Sequence, residues 1–511
     1  MQGRRLFMAT CAIFMNVASQ NSAAASTFKL QEANIADVHR AMLAGQVTAR
    51  QLVQAYLHRI DAYDKKGPSI NAIIQLNPKA LEEADRLDAV FKKNGPVGPL
   101  HGIPILVKDA IATIDMPTTG GSLSLKGFIP KHEATIVRKL REAGAIILGK
   151  TNLDEFTFGT RGISSLGGQT LNPYDLSRNP AGSSGGSAAS VSSNFAMAAL
   201  GTDTGTSIRF PSSATSLVGL RATVGLVSRN GIMPNSITQD TGGPMARSVS
   251  DTARILDVIA GYDPSDIATS WSVGQVAKSY SAGLNHKGLQ GARIGILDSF
   301  FGSGENASEV NAAMVASAGA MSKAGATVIH INEFFDINEI GEMQVGNYET
   351  EFYFDAYLKG EDAPISSLEA IVSSGKVAKE IVDSARKRLK LSMNDPEFKV
   401  RQLKRASLQD RVMKIMADSN LDALIYPLSR TLVGKIGDAQ ASHNGYLSAV
   451  TGFPALILPA GFSKPSSTAL IGVPIGLEML GRPWSEAKLL KMGYAFEQKT
   501  KFRRPPKGFG P

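Results

Sequence analysis

Amphipathic runs of helical length alternate with short apolar runs along most of this 511-residue sequence. Residues 35–60 (IADVHRAMLAGQVTARQLVQAYLHRI) space their apolar positions as two helices broken at Gly45. A strand at residues 71–76 (NAIIQL) and a helix over 79–90 follow. Residues 103–108 (IPILVK) then read as a short buried strand that ends in a lysine. The unit repeats as a helix over 134–143 and a strand at 145–148 (AIIL). It returns as 292–297 (ARIGIL), a helix near 307–324 and 326–331 (ATVIHI). Such ordering predicts the α/β class, a sheet covered by helices. With no fixed-period repeat and no long low-complexity linker, the chain reads as one large domain. Its middle region, residues 263–420, reads as inserted or variable and as the part expected to shape a pocket.

A hydrophobic content of 43% with 19% charged residues suits a globular chain with a large core, which sets disorder aside. The formal charge of +9 raises the question of a polyanion partner. Its basic residues are scattered, and the runs SARKRLKLS around 387–390 and KFRRPPKG at 501–508 read as solvated surface. No nucleic-acid partner is expected.

At the N-terminus, Arg4 and Arg5 precede an apolar run over residues 6–18, and NSAAAS follows with small residues suited to a signal peptidase. This layout predicts an export signal over residues 1–25, a mature chain from near Ser26 and a periplasmic or secreted location. RRLFM has the spacing of a twin-arginine signal but lacks a polar residue before it, so the Sec and twin-arginine routes both stay open. A buried N-terminal helix or an uncleaved anchor is the alternative. The apolar run, about thirteen residues, is shorter than the roughly 20 a membrane span needs, so no stable membrane insertion is expected. The single cysteine, Cys11, lies within the signal, leaving the mature chain without disulfide, thiolate or cysteine-metal chemistry.

Two small glycine and serine clusters stand close together: NPAGSSGGSAAS at 179–190 and GTDTGTSIRFP at 201–211. A phosphate loop needs a lysine where Gly186 stands. Residues 182–186 satisfy G-x-S-x-G, but a nucleophile elbow follows an apolar strand, and TLNPYDLSRNPA is turn chemistry. A flexible linker stays open as the alternative, made less apt by the Ser/Ala-rich helix SAASVSSNFAMAAL and the second glycine cluster that follow at once. The seven histidines show no metal-ligand spacing, and no metal site is expected. His443 lies in a loop, where a surface role competes with lining a pocket. The aromatic run at 348–357 (YETEFYFDAY) reads first as helix packing and second as a pocket wall.

Around these clusters the chain resembles the amidase signature hydrolases. The resemblance runs through PLHGIPILVKD, TTGGS, GKTNLDEFTFG, LNPYD, AGSSGGSAAS, LGTDTGTSIRFPSS, VGLRATVGLVSRNGI and DTGGPMARSVSD, then resumes in TGFPALILPAGF and IGVPIGLEMLGRPWSE. It implies a single domain with a mixed central sheet. It places a nucleophile on Ser207, a bridging serine after a cis peptide bond on Ser183, and a catalytic lysine on Lys108. Backbone amides of Thr204, Gly205, Thr206 and Ser207 are implied as the oxyanion hole. Asp203 and Arg209 are expected as a supporting ion pair with Ser184 beside them, and Gly159, Thr160 and His443 as substrate-binding positions. No cofactor is implied.

The chemistry agrees with those residue types. A serine hydroxyl needs a base, which can be a lysine, and a lysine accepts a proton only when neutral. Burial at the end of an apolar strand lowers its pKa accordingly. Two positions depart from the family pattern: Thr206 stands where the family carries glycine, and Ala181 replaces the first glycine of GGSSGGS. If the Thr206 backbone required positive φ, threonine would be strained there. The expected protein is an exported, cofactor-free amidase acting on a small carboxamide or peptide-like amide through an acyl-enzyme. The alternatives are a glutaminase (A) subunit of a tRNA-dependent amidotransferase and a catalytically dead ligand-binding homologue. Neither substrate identity nor oligomeric state carries a motif.

Overall fold

A computed structural model describes residues 28–510. The expected export signal and Cys11 lie outside these residues. Capping boxes start the first two helices: Asn34 with Asp37 opens Ile35–Leu43, and Thr48 with Gln51 opens Ala49–Tyr63. They are separate helices, as the break at Gly45 predicts.

The strands are β1 (Ile73–Leu76), β2 (Pro104–Lys108), β3 (Ile146–Thr151), β4 (Ile163–Ser164), β5 (Gly168–Gln169), β6 (Ala198–Asp203) and β7 (Val218–Arg221). They continue as β8 (Thr241–Ala246), β9 (Arg293–Leu297), β10 (Thr327–Ile331), β11 (Ala423–Pro427), β12 (Ala455–Phe462) and β13 (Pro474–Leu480). Eleven form one sheet in the order β1-β3-β2-β6-β8-β7-β12-β13-β11-β9-β10, and β4 and β5 make a separate ribbon. Pairing is parallel for β2 with β3 and β6 and for β9 with β10 and β11; the other pairs are antiparallel. The mixed α/β sheet in a single domain is the architecture the resemblance implies.

The strands β2, β3 and β6 are buried on both faces, as parallel strands under helices must be. The Ser/Ala-rich stretch forms the helix Gly185–Ser192, every residue of it buried. Small side chains let it lie directly on the sheet. Ser187 Oγ donates to the Leu200 carbonyl at 3.1 Å and pairs with Thr151 Oγ1 at 2.7 Å, satisfying hydroxyls that burial would otherwise leave unpaired. The main apolar core runs from this face through the helices Val249–Ile259, Ser308–Lys323 and Glu486–Thr500. Among the described residues, no helix is long and apolar enough to cross a membrane.

Candidate active site

β2 and β6 are parallel neighbours, so their C-terminal ends bring Lys108 and Asp203 to one edge of the sheet, where ligand sites of α/β sheets form. The chain between them supplies the remaining groups. Residues 172–184 are turns rather than strand, and the Gly182–Ser183 peptide bond is cis. Glycine is required at 182 by proximity: a Cβ there would lie 1.9 Å from Asp154 Oδ2. The turn carries Ser183 onto Lys108, whose Nζ lies 2.7 Å from Ser183 Oγ and 2.8 Å from Thr202 Oγ1.

Ser207 follows β6 in the turn that opens the helix Arg209–Ala214. Its carbonyl accepts the Ser184 N–H at 3.1 Å, which ties the two serine turns together. Ser184 also donates through Oγ to the Thr202 carbonyl. Asp203 fixes the turn: Oδ2 accepts the Ile208 N–H at 3.0 Å and Arg209 Nε at 3.0 Å, while Oδ1 pairs with Arg209 Nη2 and Arg221 Nη1. Among the described residues, the N–H groups of Thr204, Gly205, Thr206 and Ser207 donate to no other backbone or side-chain group. Four successive N–H groups without a protein acceptor are the donor chemistry that an anion needs.

The electrostatics follow from burial. Lys108 is completely buried, and desolvation pulls its amine down to about 7 against the attraction of Asp154, Asp203 and Asp240. Asp154 is pushed up to about 6 by burial, against the N–H groups of Arg161 and Gly162 that its carboxylate accepts. Burial alone would raise Asp203, but Arg209 and Arg221 hold it well below the usual carboxylate range. Burial alone would lower Arg209, but Asp203 and Glu478 raise it. The amine is therefore poised near neutrality beside an ion-pair network that stays charged.

Lys108 and Ser183 are sealed from solvent, while Ser207 lines a cavity of about 270 Å³. Thr204, Gly205, Thr206, Gly159 and Thr160 share its wall. An adjoining cavity of about 580 Å³ shares Thr160, Gln344, Asn347 and Lys387 with the first.

Several expectations change here. His443 is not a surface residue: only 8% exposed, it lines both cavities, its ring against Phe210 and Tyr446, and burial lowers its pKa to about 4. Thr206 does not sit at positive φ, so the conditional strain is absent there. It is Ala181 that sits at φ +60. The aromatic run belongs to the helix Gly346–Gly360, where Phe354 packs on Phe156 and Phe158, and the first helical residues Gly346 and Asn347 face the cavity. The basic run around 387–390 is not all solvated surface. Lys387 lines the cavity, and Arg388 is buried there because the last turn of the helix Lys379–Arg388 lays its guanidinium over Phe158.

Thr202, Asp154, Asp240, Arg221 and Glu478 join the site without having been expected from the sequence. Asp154 and Thr202 lie inside the family-like motifs, but only the fold shows that they converge on Lys108. Glu478 is the single charge in the apolar part of the family-like block IGVPIGLEMLGRPWSE, but only the fold shows that it reaches Arg209 from another strand.

Residues 51–490 match the amidase family. The chain is similar to the peptide amidase of Stenotrophomonas maltophilia, with 38% identity and a TM-score of 0.86 over 94% of this chain and 99% of that one. It is 34% identical to a probable amidase of Arabidopsis thaliana over 98% of this chain and 97% of the relative. It is also 34% identical to the chloroplastic/mitochondrial glutamyl-tRNA(Gln) amidotransferase (A) subunit of Zea mays, over 95% of this chain and 92% of that relative. The chain thus belongs to the amidase family of amidase signature enzymes and is a hydrolase of amide bonds.

Proposed function

We propose that the protein hydrolyses a carboxamide or peptide-like amide through an acyl-enzyme on Ser207, with Lys108 as base and Ser183 as relay. The supporting observation is the 2.7 Å contact between Ser183 Oγ and a fully buried lysine amine. The neutral amine accepts the Ser183 hydroxyl proton, and Ser183 takes the proton of Ser207 as its oxygen attacks the carbonyl carbon. The N–H groups of residues 204–207 hold the developing oxyanion. The proton returns through Ser183 to the leaving amine, the C–N bond breaks, and water releases the acyl group by the same relay. The likeness to a peptide amidase supports small amides and peptide amides as the substrate class. The test is mass analysis after reaction with a slowly deacylating amide. An adduct on the peptide containing Ser207 is expected, and hydrolysis lost in Ser207→Ala disposes of the dead-homologue reading. Hydrolysis that survives Ser207→Ala overturns the assignment.

A second reading, the glutaminase component of a tRNA-dependent amidotransferase, is favoured by the 34% identity to the Zea mays relative. Ammonia release from glutamine that depends on partner proteins would support it; partner-free hydrolysis of simple amides supports the first. The export reading rests on residues 1–25 alone. Mass measurement of protein recovered outside the cytoplasm is expected to give a chain beginning near Ser26, and an intact Met1 overturns it.

A further inference from the structure

The cavity that Ser207 lines contains two cationic side chains, Lys387 and Arg388, and among the described residues no carboxylate. Lys387 is exposed, so its charge is solvated. Arg388 is only 8% exposed and, among the described residues, forms no salt bridge. Its Nη1 donates to the Ser384 carbonyl at 2.8 Å and to Ser384 Oγ, both on its own helix. Its Cζ lies 4.1 Å from the centroid of the Phe158 ring. Nε is buried without a partner, and Nη2 donates to nothing among the described residues. The acidic neighbours on the same helix point elsewhere: Glu380 and Asp383 are outside the cavity wall, and Glu380 pairs with Lys379. Across the adjoining cavity Glu342 is the only carboxylate among the described residues, and it shares that wall with Lys387 and Arg401.

A purely structural arginine here needs one nitrogen on its own helix, which Nη1 supplies at the Ser384 carbonyl and hydroxyl. The rest of the fork is oriented and left unsatisfied, although burying an uncompensated charge is costly. Burial accordingly lowers the guanidinium to about 9, with no carboxylate to offset it, and it remains charged at neutral pH. A planar fork with free donors, stacked on an aromatic ring, matches a carboxylate better than any neutral group.

We propose that Arg388 binds a carboxylate carried by the amide substrate, so that the enzyme selects anionic carboxamides. This deepens the proposed function and rests on its placing the reacting carbonyl at Ser207 in the same cavity. Arg388 is here a specificity residue that takes no part in the proton relay.

The probes are ω-carboxamido acids from malonamate to adipamate, each compared with the unbranched alkanamide of equal chain length by ammonia release. The wild type is expected to favour the best-fitting acid in kcat/KM by roughly 10- to 100-fold, the worth of hydrogen bonds to a charged group. Arg388→Met, which keeps an apolar stem on Phe158, removes that preference and leaves the alkanamide rates within about threefold. Arg388→Lys retains part of it. Equal rates on both series in the wild type, or an equal loss on both in Arg388→Met, overturns the proposal. Calorimetry of the same acids on Ser207→Ala separates the two readings, since binding needs no turnover. Binding of the acid but not the alkanamide, lost on adding Arg388→Met, supports the carboxylate site even if Ser207→Ala still hydrolyses amides. Indifference to the carboxylate overturns it even if Ser207 is the nucleophile.

Discussion

Arg209 Nη1 donates to Glu478 Oε1 at 2.8 Å, across 269 residues of chain. The bond joins the turn after β6 to β13, so the turn of residues 204–207 is braced from the opposite half of the sheet. Tyr426 and Ser448 hydroxyls also donate to this oxygen, at 2.9 and 2.6 Å, and Arg209 continues to Asp203. Every member is buried, which makes the network stabilising only while intact.

Arg209→Met is therefore expected to cost about 3–5 kcal/mol, because Asp203 loses one of two guanidinium partners and Glu478 its only one among the described residues. Denaturant midpoints at neutral pH measure it. Asp203 is held below its ordinary pKa, so its contribution is complete above about 3.9 and disappears as pH falls through the lower folded value. The gap between variant and wild type is expected to narrow in acid, and a gap that widens contradicts the ion-pair account.

Lys108 titrates at about 7 in the folded chain, against an ordinary 10.5. If its neutral form starts the reaction, kcat/KM of the wild type rises with pH through about 7, and Lys108→Ala loses ~10²–10⁴-fold with that limb abolished. Stability moves in the same direction. Between pH 7 and 10.5 the unfolded chain binds more protons than the folded one, so wild-type stability increases with pH across that window. Lys108→Met is expected to lose only the share that Lys108 contributes, since the fully buried Lys150, lowered to about 8 by desolvation, keeps a dependence of the same sign. None of the seven histidines, His443 included, is expected to match the Lys108→Ala loss when replaced singly. A folded histidine variant as inactive as Ser207→Ala revives the elbow alternative at Ser184.

Gly182→Ala would set its Cβ 1.9 Å from Asp154 Oδ2, a distance no van der Waals contact tolerates. Asp154 cannot retreat freely, since its carboxylate holds the N–H groups of Arg161 and Gly162 and its own N–H donates to the Ser183 carbonyl at 3.1 Å. The variant is expected to lose at least ~100-fold in activity, on the order seen when reacting groups move by an ångström. Retained activity with an unchanged denaturation midpoint contradicts the close packing.

What the sequence discloses divides along physical lines. The periodicities of residues 35–60, 103–108 and 134–148 report local structure, and their strands and helices stand within a few residues of where the pattern puts them. Lys108 at the end of an apolar run stands out because a charge there must surface, function or be paired in the interior, as the buried Lys150 of β3 is with Asp109. The carboxylates that attract that charge do not, since Asp154 and Asp240 come near it only through the fold. Arg388 shows the limit most clearly. In SARKRLKLS it is one cation among several, and only the direction of the last helical turn separates the buried guanidinium from its solvated neighbours.

The two departures from the family's glycines exchange their expected consequences, and a pair of substitutions tests this. Thr206 lies outside the positive-φ region, 2% exposed, with its Cγ2 2.5 Å from where a side chain on Gly445 would begin. Thr206→Gly relieves no strain. It removes two buried carbons with their hydroxyl, the carbons worth ~1.6 kcal/mol, and loosens the unfolded chain by ~0.4–1 kcal/mol, so it is expected to destabilise by about 2–3 kcal/mol without raising kcat. Ala181 sits at φ +60, where an L-residue is disfavoured by ~1–2 kcal/mol. Ala181→Gly recovers that cost, while losing a buried methyl and gaining unfolded-state entropy of similar combined size. The terms nearly cancel, so the variant is expected within about 0.5 kcal/mol of wild type, although Ala181 is fully buried. Denaturation midpoints of both variants, with kcat on one amide, decide the matter: stabilisation or faster turnover in Thr206→Gly would return the strain to the turn of residues 204–207.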